Sequence, residues 1–137
     1  MAKVNMTTDL DVAADELWNL IGGFNALPDW HPAFEGSKLK EEGNMRVLSL
    51  VGGGEIVEKL EKHDDNERIY SYAITDSPLP IKNYRAEIKV IDQGDGKASV
   101  EWSSEFSADG APENEAIELI TGVFQAGLDN LKKMYGG

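Results

Sequence analysis

Apolar and polar residues alternate along most of the chain, and the alternating runs are closed by glycines or by clusters of acidic residues. In Lys97–Ser107, the residues Val100, Trp102, Ser104 and Phe106 fall on one side of an extended backbone, opposite Ser99, Glu101, Ser103 and Glu105. Successive side chains of a strand point to opposite faces, so the first set is predicted to face a core and the second to face solvent. Tyr84–Asp92 separates Tyr84, Ala86, Ile88 and Val90 from Arg85, Glu87 and Lys89 in the same way, and Arg68–Thr75 presents Tyr70, Tyr72 and Ile74. Further strands are predicted over Lys3–Leu10, Phe34–Glu41, Met45–Val51 and Glu55–His63. The connections Gly52-Gly53-Gly54, Asp64–Glu67 and Gln93–Gly96 suit antiparallel hairpins.

Elsewhere the spacing turns helical. Asp11 is placed to cap a helix over Ala13–Gly22, its carboxylate accepting the free amides of the first turn, with Leu17, Leu20 and Ile21 as the apolar stripe. Asn25–Pro32 holds two prolines and permits only a short helical turn or loop. In Pro112–Tyr135, Ile117, Ile120, Phe124, Leu128 and Leu131 recur at helical spacing, and Leu119 and Val123 widen the stripe. Proline and two glutamates at the start, and Lys132 and Lys133 in the last turn, fit the polarity of a helix. At about 1.5 Å per residue such a helix is roughly 36 Å long, enough to cross a sheet. The order β-αα-β6-α predicts an α+β helix-grip fold: a seven-stranded curved antiparallel sheet around a long C-terminal helix, in one domain over residues 1–137.

Composition narrows the functional classes. The 137 residues include no cysteine, which removes disulfides, thiolate metal sites and cysteine nucleophiles. A formal charge of −12, from 13 basic and 25 acidic residues, repels a phosphate backbone and an anionic bilayer alike, so neither nucleic acid nor membrane is expected as a partner. Met1–Met6 lacks the basic and then apolar run of a signal peptide, and no apolar stretch approaches the roughly 18 residues that span a bilayer. A cytoplasmic protein, monomeric or weakly dimeric, is expected. Neither a GxGxxG nor a P-loop spacing occurs, and the triple glycine lies in a predicted hairpin, so no nucleotide, metal or other cofactor is expected.

One strand departs from its pattern. In Glu55–His63, Ile56 and Leu60 bracket Glu58 and carry that carboxylate to the inner face. If the glycine turn pairs Leu50 with Ile56, Leu48 faces Glu58, and Arg46 lies diagonal to Glu58 and within its reach. An inward carboxylate needs a partner or a wet cavity, so Glu58 reads either as half of a structural ion pair or as a cavity group. His31, between Trp30 and Pro32, reads as a proton carrier near pH 7 or as a hydrogen-bonded residue that fixes its loop. His63, beside Asp64 and Asp65, reads as a solvated turn residue. Trp30, Tyr70, Tyr72, Tyr84 and Trp102 add aromatic surface with polar tips, which suits an amphipathic ligand as well as a core.

The segments Trp30-His31-Pro32, Gly53–Leu60, Tyr70-Ser71-Tyr72, Ser77–Tyr84 and Trp102–Phe106 resemble, in this order, the polyketide cyclase/dehydrase branch of the START-like superfamily, which also holds the birch-pollen allergen group and the plant abscisic acid receptors. The resemblance covers nearly the entire chain and implies an internal ligand cavity; in the hormone receptors an acidic residue at the Glu58 position joins a water network around the ligand. Val51–Gly54 and Ser77–Ile81 correspond by order to the receptors' gate and latch loops, yet the signature motifs of both are absent. Pro32 stands where a lysine anchors the hormone carboxylate, and Gly127 replaces a polar residue of the final helix. Hormone reception of that kind is not expected.

The leading expectation is therefore a binding or carrier protein for a small hydrophobic or aromatic molecule. Its cavity is expected to be lined by Trp30, His31, Arg46, Leu48, Glu58, Tyr70, Tyr72, Leu79, Tyr84, Trp102, Ser104, Phe106, Leu119 and Val123. The second reading is a cyclase, dehydratase or aromatase-type enzyme in which Glu58, with His31 or Tyr84, moves protons. The third is a protein-interaction module acting through the acidic surface.

Overall fold

The computed structural model describes residues 1–136. Strand β1 (Ala2–Leu10) leads into helices α1 (Ala14–Ile21) and α2 (Leu27–Trp30). Strands β2 (Phe34–Lys40), β3 (Met45–Leu50), β4 (Glu55–Asp64), β5 (Ile69–Asp76), β6 (Ile81–Gly94) and β7 (Lys97–Ala108) follow, and α3 (Glu113–Tyr135) ends the chain. The seven strands form one antiparallel sheet in the order β1-β7-β6-β5-β4-β3-β2. Six strands thus meander by consecutive hairpins, and the first strand returns to pair with the last, as the helix-grip order requires.

The core lies between the concave face of the sheet and α3. From the helix come Ala116, Ile120, Phe124, Gly127, Leu128 and Leu131, all buried at spacings of three or four residues, which makes one stripe. From β7 come Val100, Trp102, Ser104 and Phe106, the set that alternation assigns inward. The Trp102 and Phe124 rings stack at 4.1 Å between centroids and 11° between planes, joining sheet to helix near the middle of both.

Three local expectations need correction. Asp11 does not cap α1: the residue before that helix is Ala13, with no side-chain cap, and Asp15 and Glu16 supply the negative charge of the first turn instead. The Asp11 backbone N–H donates to the Gly136 carbonyl, tying the end of β1 to the end of α3. Strand β6 starts at Ile81 rather than Tyr84: Ile81 and Lys82 pair with Ala108 and Ser107 of β7 beyond an irregularity between Lys82 and Arg85, where Asn83 takes φ 54°. The β3–β4 turn is tighter than expected. Gly52, Gly53 and Gly54 all take positive φ, which glycine alone adopts without a Cβ penalty, and the Leu50 N–H donates to the Gly54 carbonyl. Leu48 therefore pairs with Ile56, and Arg46 lies directly opposite Glu58 rather than diagonal to it. A slip of two residues preserves the face of every side chain.

Candidate functional site

Arg46 on β3 and Glu58 on β4 are buried together, at 1% and 4% exposure. The Arg46 Nε–H donates to Glu58 Oε1 at 2.7 Å, and Nη2 reaches the same oxygen at 2.6 Å. Nη1 donates to the carbonyl of Phe24, in the turn after α1. The guanidinium lies 4.2 Å from the centroid of the Phe24 ring and 5.1 Å from that of Tyr72. Hydrogen bonds and aromatic faces together replace the water that both charges lose. Burial pushes the Glu58 carboxyl above its ordinary range, while the charge and hydrogen bonds of Arg46 act against that rise.

Both protein hydrogen bonds to Glu58 fall on Oε1; Oε2 receives none among the described residues. Glu58 borders an internal cavity of about 60 Å³. One water needs about 10–15 Å³ of such space, so the cavity holds a few waters. Its sheet wall is Leu50, Ile56, Glu58, Tyr72, Ile74, Tyr84 and Trp102; Ile120, Val123 and Phe124 form the helix wall, and Leu27, Ala33, Phe34 and Leu79 complete it. The Trp102 Nε1–H donates to the Tyr72 hydroxyl at 3.1 Å. Burial, and then the negative charge of Glu58, raise the Tyr84 phenol far above its ordinary value.

Of the expected lining residues, Glu58, Tyr72, Leu79, Tyr84, Trp102 and Val123 border the cavity. Arg46, Leu48, Tyr70, Ser104 and Phe106 are buried but do not border it. Arg46 orients Glu58, Phe106 stacks on Tyr84 with 5.9 Å between centroids, and the Ser104 hydroxyl donates to the Val4 carbonyl. Leu119 is corrected: it is 38% exposed, on the flank of α3 turned from the sheet. The apolar wall members Leu27, Phe34, Leu50, Ile120 and Phe124 carry no chemical mark that separates them from core residues, so only the fold identifies them.

His31 and Trp30 are fully buried and do not border the cavity. His31 Nε2 lies 2.6 Å from the Val123 carbonyl and therefore carries the proton, while Nδ1 accepts the Ala33 N–H at 3.1 Å. Both ring nitrogens are committed, which corrects the reading of His31 as a proton carrier and supports its reading as a fixing residue. Burial lowers its pKa to about 4, the Val123 bond acting against that shift. One turn further on, Gly127 faces the same ring: a Cβ there would stand 2.6 Å from His31 Cδ2 and 3.0 Å from Trp30 Cζ3. His63 is exposed, as expected; its Nε2 also lies 2.8 Å from the Gly22 carbonyl, and its ring packs against Trp18 and Tyr70.

Loops enclose one end of the cavity. Gly54, in the β3–β4 turn, lies against Pro78 in the β5–β6 loop, where a Cβ would meet Pro78 Cγ at 3.6 Å. The Asp109 N–H, after β7, donates to the Pro80 carbonyl at 2.9 Å. Leu79, between these contacts, is half-buried and borders the cavity. A wider hollow of about 950 Å³ lies on the outer face of the sheet among charged residues such as Glu61, Arg85 and Glu101. It is an open polar surface and offers no enclosure. Among the described residues, no group of three or more histidine or carboxylate side chains is arranged to hold a metal ion, and no helix is long and apolar enough to cross a membrane.

Residues 1–136 match the family model described as polyketide cyclase / dehydrase and lipid transport, and the chain belongs to that family. Among solved structures it is similar to the protein XoxI from Bacillus cereus, at 38% identity and a TM-score of 0.96 over 98% of this chain and 96% of that one. A START superfamily protein from Mycobacterium smegmatis shares the fold at 12% identity and a TM-score of 0.81, over 97% of this chain and 96% of that one. The Zhui aromatase/cyclase from Streptomyces sp. R1128 does so at 16% identity and a TM-score of 0.79, over 97% and 92%. No curated protein matches the chain.

Proposed function

We propose that this chain binds a small hydrophobic or aromatic molecule in the space between α3 and the sheet. The observation that carries the reading is a carboxylate held by a buried arginine through one oxygen, with its other oxygen free of protein bonds in a mainly apolar cavity that Tyr72 and Tyr84 also border. A carboxylate loses hydration on burial, so an oxygen left without a protein partner at a cavity wall is placed to accept from a water or a ligand donor. A ligand larger than a few waters enters by displacing half-buried rim residues: Leu79 in the β5–β6 loop, Leu50 at the end of β3 and Val123 on α3. Titration of the native protein with the apolar dye ANS, followed by displacement with single-ring aromatics, tests this. Saturable binding and competitive displacement support it, and the absence of both defeats it.

The second reading is a proton-transfer enzyme of the cyclase or dehydratase kind, favoured by the raised pKa of Glu58 at the cavity wall. In that reading Glu58 is the base and the protonated Tyr84 phenol is left as a donor, while His31 has no free nitrogen. A Glu58→Gln variant that binds ligand as before but loses turnover would support it.

A further inference from the structure

We infer that the cavity selects an uncharged ligand that presents an O–H or N–H donor to Glu58 Oε2, and that it rejects carboxylates. The inference rests on the binding role proposed above and names the chemistry of its ligand.

Glu58, Tyr72 and Tyr84 are the polar side chains bordering the cavity, and the Tyr72 oxygen already accepts from Trp102. Glu58 Oε1 already accepts from two nitrogens of Arg46, whereas Oε2 accepts from none. The nearest cation gives no help to an anionic ligand: Nε and Nη2 of Arg46 are directed at Glu58 and Nη1 at the Phe24 carbonyl, and Arg46 does not border the cavity. The cavity therefore presents an acceptor with no compensating free positive charge.

Three ligand chemistries then separate. A carboxylate at this wall meets the like charge of Glu58 in a low-dielectric space and finds no cation to offset it, only the neutral phenols of Tyr72 and Tyr84. An ammonium is attracted to Oε2 but must shed its hydration beside a carboxylate whose charge Arg46 already balances, so it adds a net buried charge. A neutral hydroxyl or amide donor forms a charge-assisted hydrogen bond and adds no charge, while its ring lies against Trp102, Phe124 and the aliphatic wall. A hydrogen bond to a charged group is worth about tenfold to a hundredfold in affinity.

The test uses the full chain at pH 7 and four single-ring probes of matched shape: toluene, 4-methylphenol, 4-methylbenzoate and 4-methylbenzylamine. Affinities are read by competition against ANS and by the NMR shift of the Trp102 indole N–H. The expected order has 4-methylphenol at least tenfold tighter than toluene, with the benzoate weaker than toluene and the amine weaker than the phenol. If toluene equals the phenol, or if either ion binds best, the inference is overturned while the binding role stands, because an apolar ring has still been taken up. If none of the four moves the Trp102 signal or displaces the dye, the binding role and the inference fall together. The wild-type series decides the question without any substitution that disturbs the buried pair.

Discussion

Arg46 and Glu58 stand directly opposite one another on β3 and β4, and one carboxylate oxygen takes both guanidinium contacts, at 2.7 and 2.6 Å. Such a pair stabilises little relative to apolar residues, but breaking it leaves a buried charge unpartnered, at a cost of about 3–5 kcal/mol. Arg46→Met alone should therefore lower the unfolding free energy by about that amount, since Glu58 loses its counter-charge. Arg46→Met combined with Glu58→Leu should recover most of the loss, because the neighbouring Phe24 and Tyr72 rings accept apolar neighbours. Urea titrations of the two variants measure the difference. A double variant no more stable than the single one would contradict this account of the pair.

Gly127 faces a buried ring where a helix commonly carries a side chain. In an exposed helix interior, replacing glycine with alanine stabilises by about 1 kcal/mol. Here the added Cβ would fall 2.6 Å from His31 Cδ2, and that ring is held by bonds to Val123 and Ala33, so it has no free rotamer to yield into. Gly127→Ala should destabilise by about 1–3 kcal/mol, the range for overpacking. Gly122, where a Cβ would meet nothing within 4 Å, provides the control: Gly122→Ala should stabilise. Opposite signs at two glycines of one helix, measured in the same denaturant series, distinguish packing from propensity.

The same ring makes the fold sensitive to acid. His31 titrates near 4 in the folded protein and at about 6.5 when the chain is unfolded, because burial disfavours its charged form. A depressed folded pKa means that the unfolded state binds the proton first. The His31 contribution is thus fully present above pH 6.5 and is lost as pH falls toward 4, by about 3 kcal/mol in total. Carboxylates titrate over part of that range, so the informative quantity is the difference between the wild type and His31→Gln. The variant should be less stable at pH 7 and should lack this component of the acid slope. NMR titration of the His31 ring protons provides a direct check, with no protonation expected above pH 5.

Most of the architecture is legible in the sequence because its periods are clean. The alternation through Val100, Trp102, Ser104 and Phe106 and the helical recurrence of Ile120, Phe124 and Leu128 each admit one assignment, and the order of elements then leaves few topologies. What escaped depends on backbone geometry that periodicity does not encode. Three consecutive positive-φ glycines tightened the β3–β4 turn and brought Arg46 opposite Glu58; a face pattern with period two cannot register a slip of two. For the candidate site, Glu58 stood out because a charge interrupts an apolar face. Leu119 did not stand out as wrongly placed, because a stripe widened by one residue on each side looks the same whether its flank meets the sheet or water.

That flank permits the sharpest separation of cavity from surface on α3. Val123 is half-buried and borders the cavity, whereas Leu119, one turn earlier, does not border it and is 38% exposed. Val123→Phe adds a ring at the rim of a space of about 60 Å³ and should abolish uptake of ANS and of single-ring aromatics, while costing about 1–3 kcal/mol from overpacking. Leu119→Ser removes an apolar side chain from the outer flank and should leave affinity within twofold, at a stability cost of less than about 1 kcal/mol from helix propensity. Isothermal titration of both variants with 4-methylphenol reads the contrast. If Leu119→Ser abolishes binding while Val123→Phe does not, ligand is taken up on the outer side of α3, and the cavity lined by Glu58 and Trp102 is not its site.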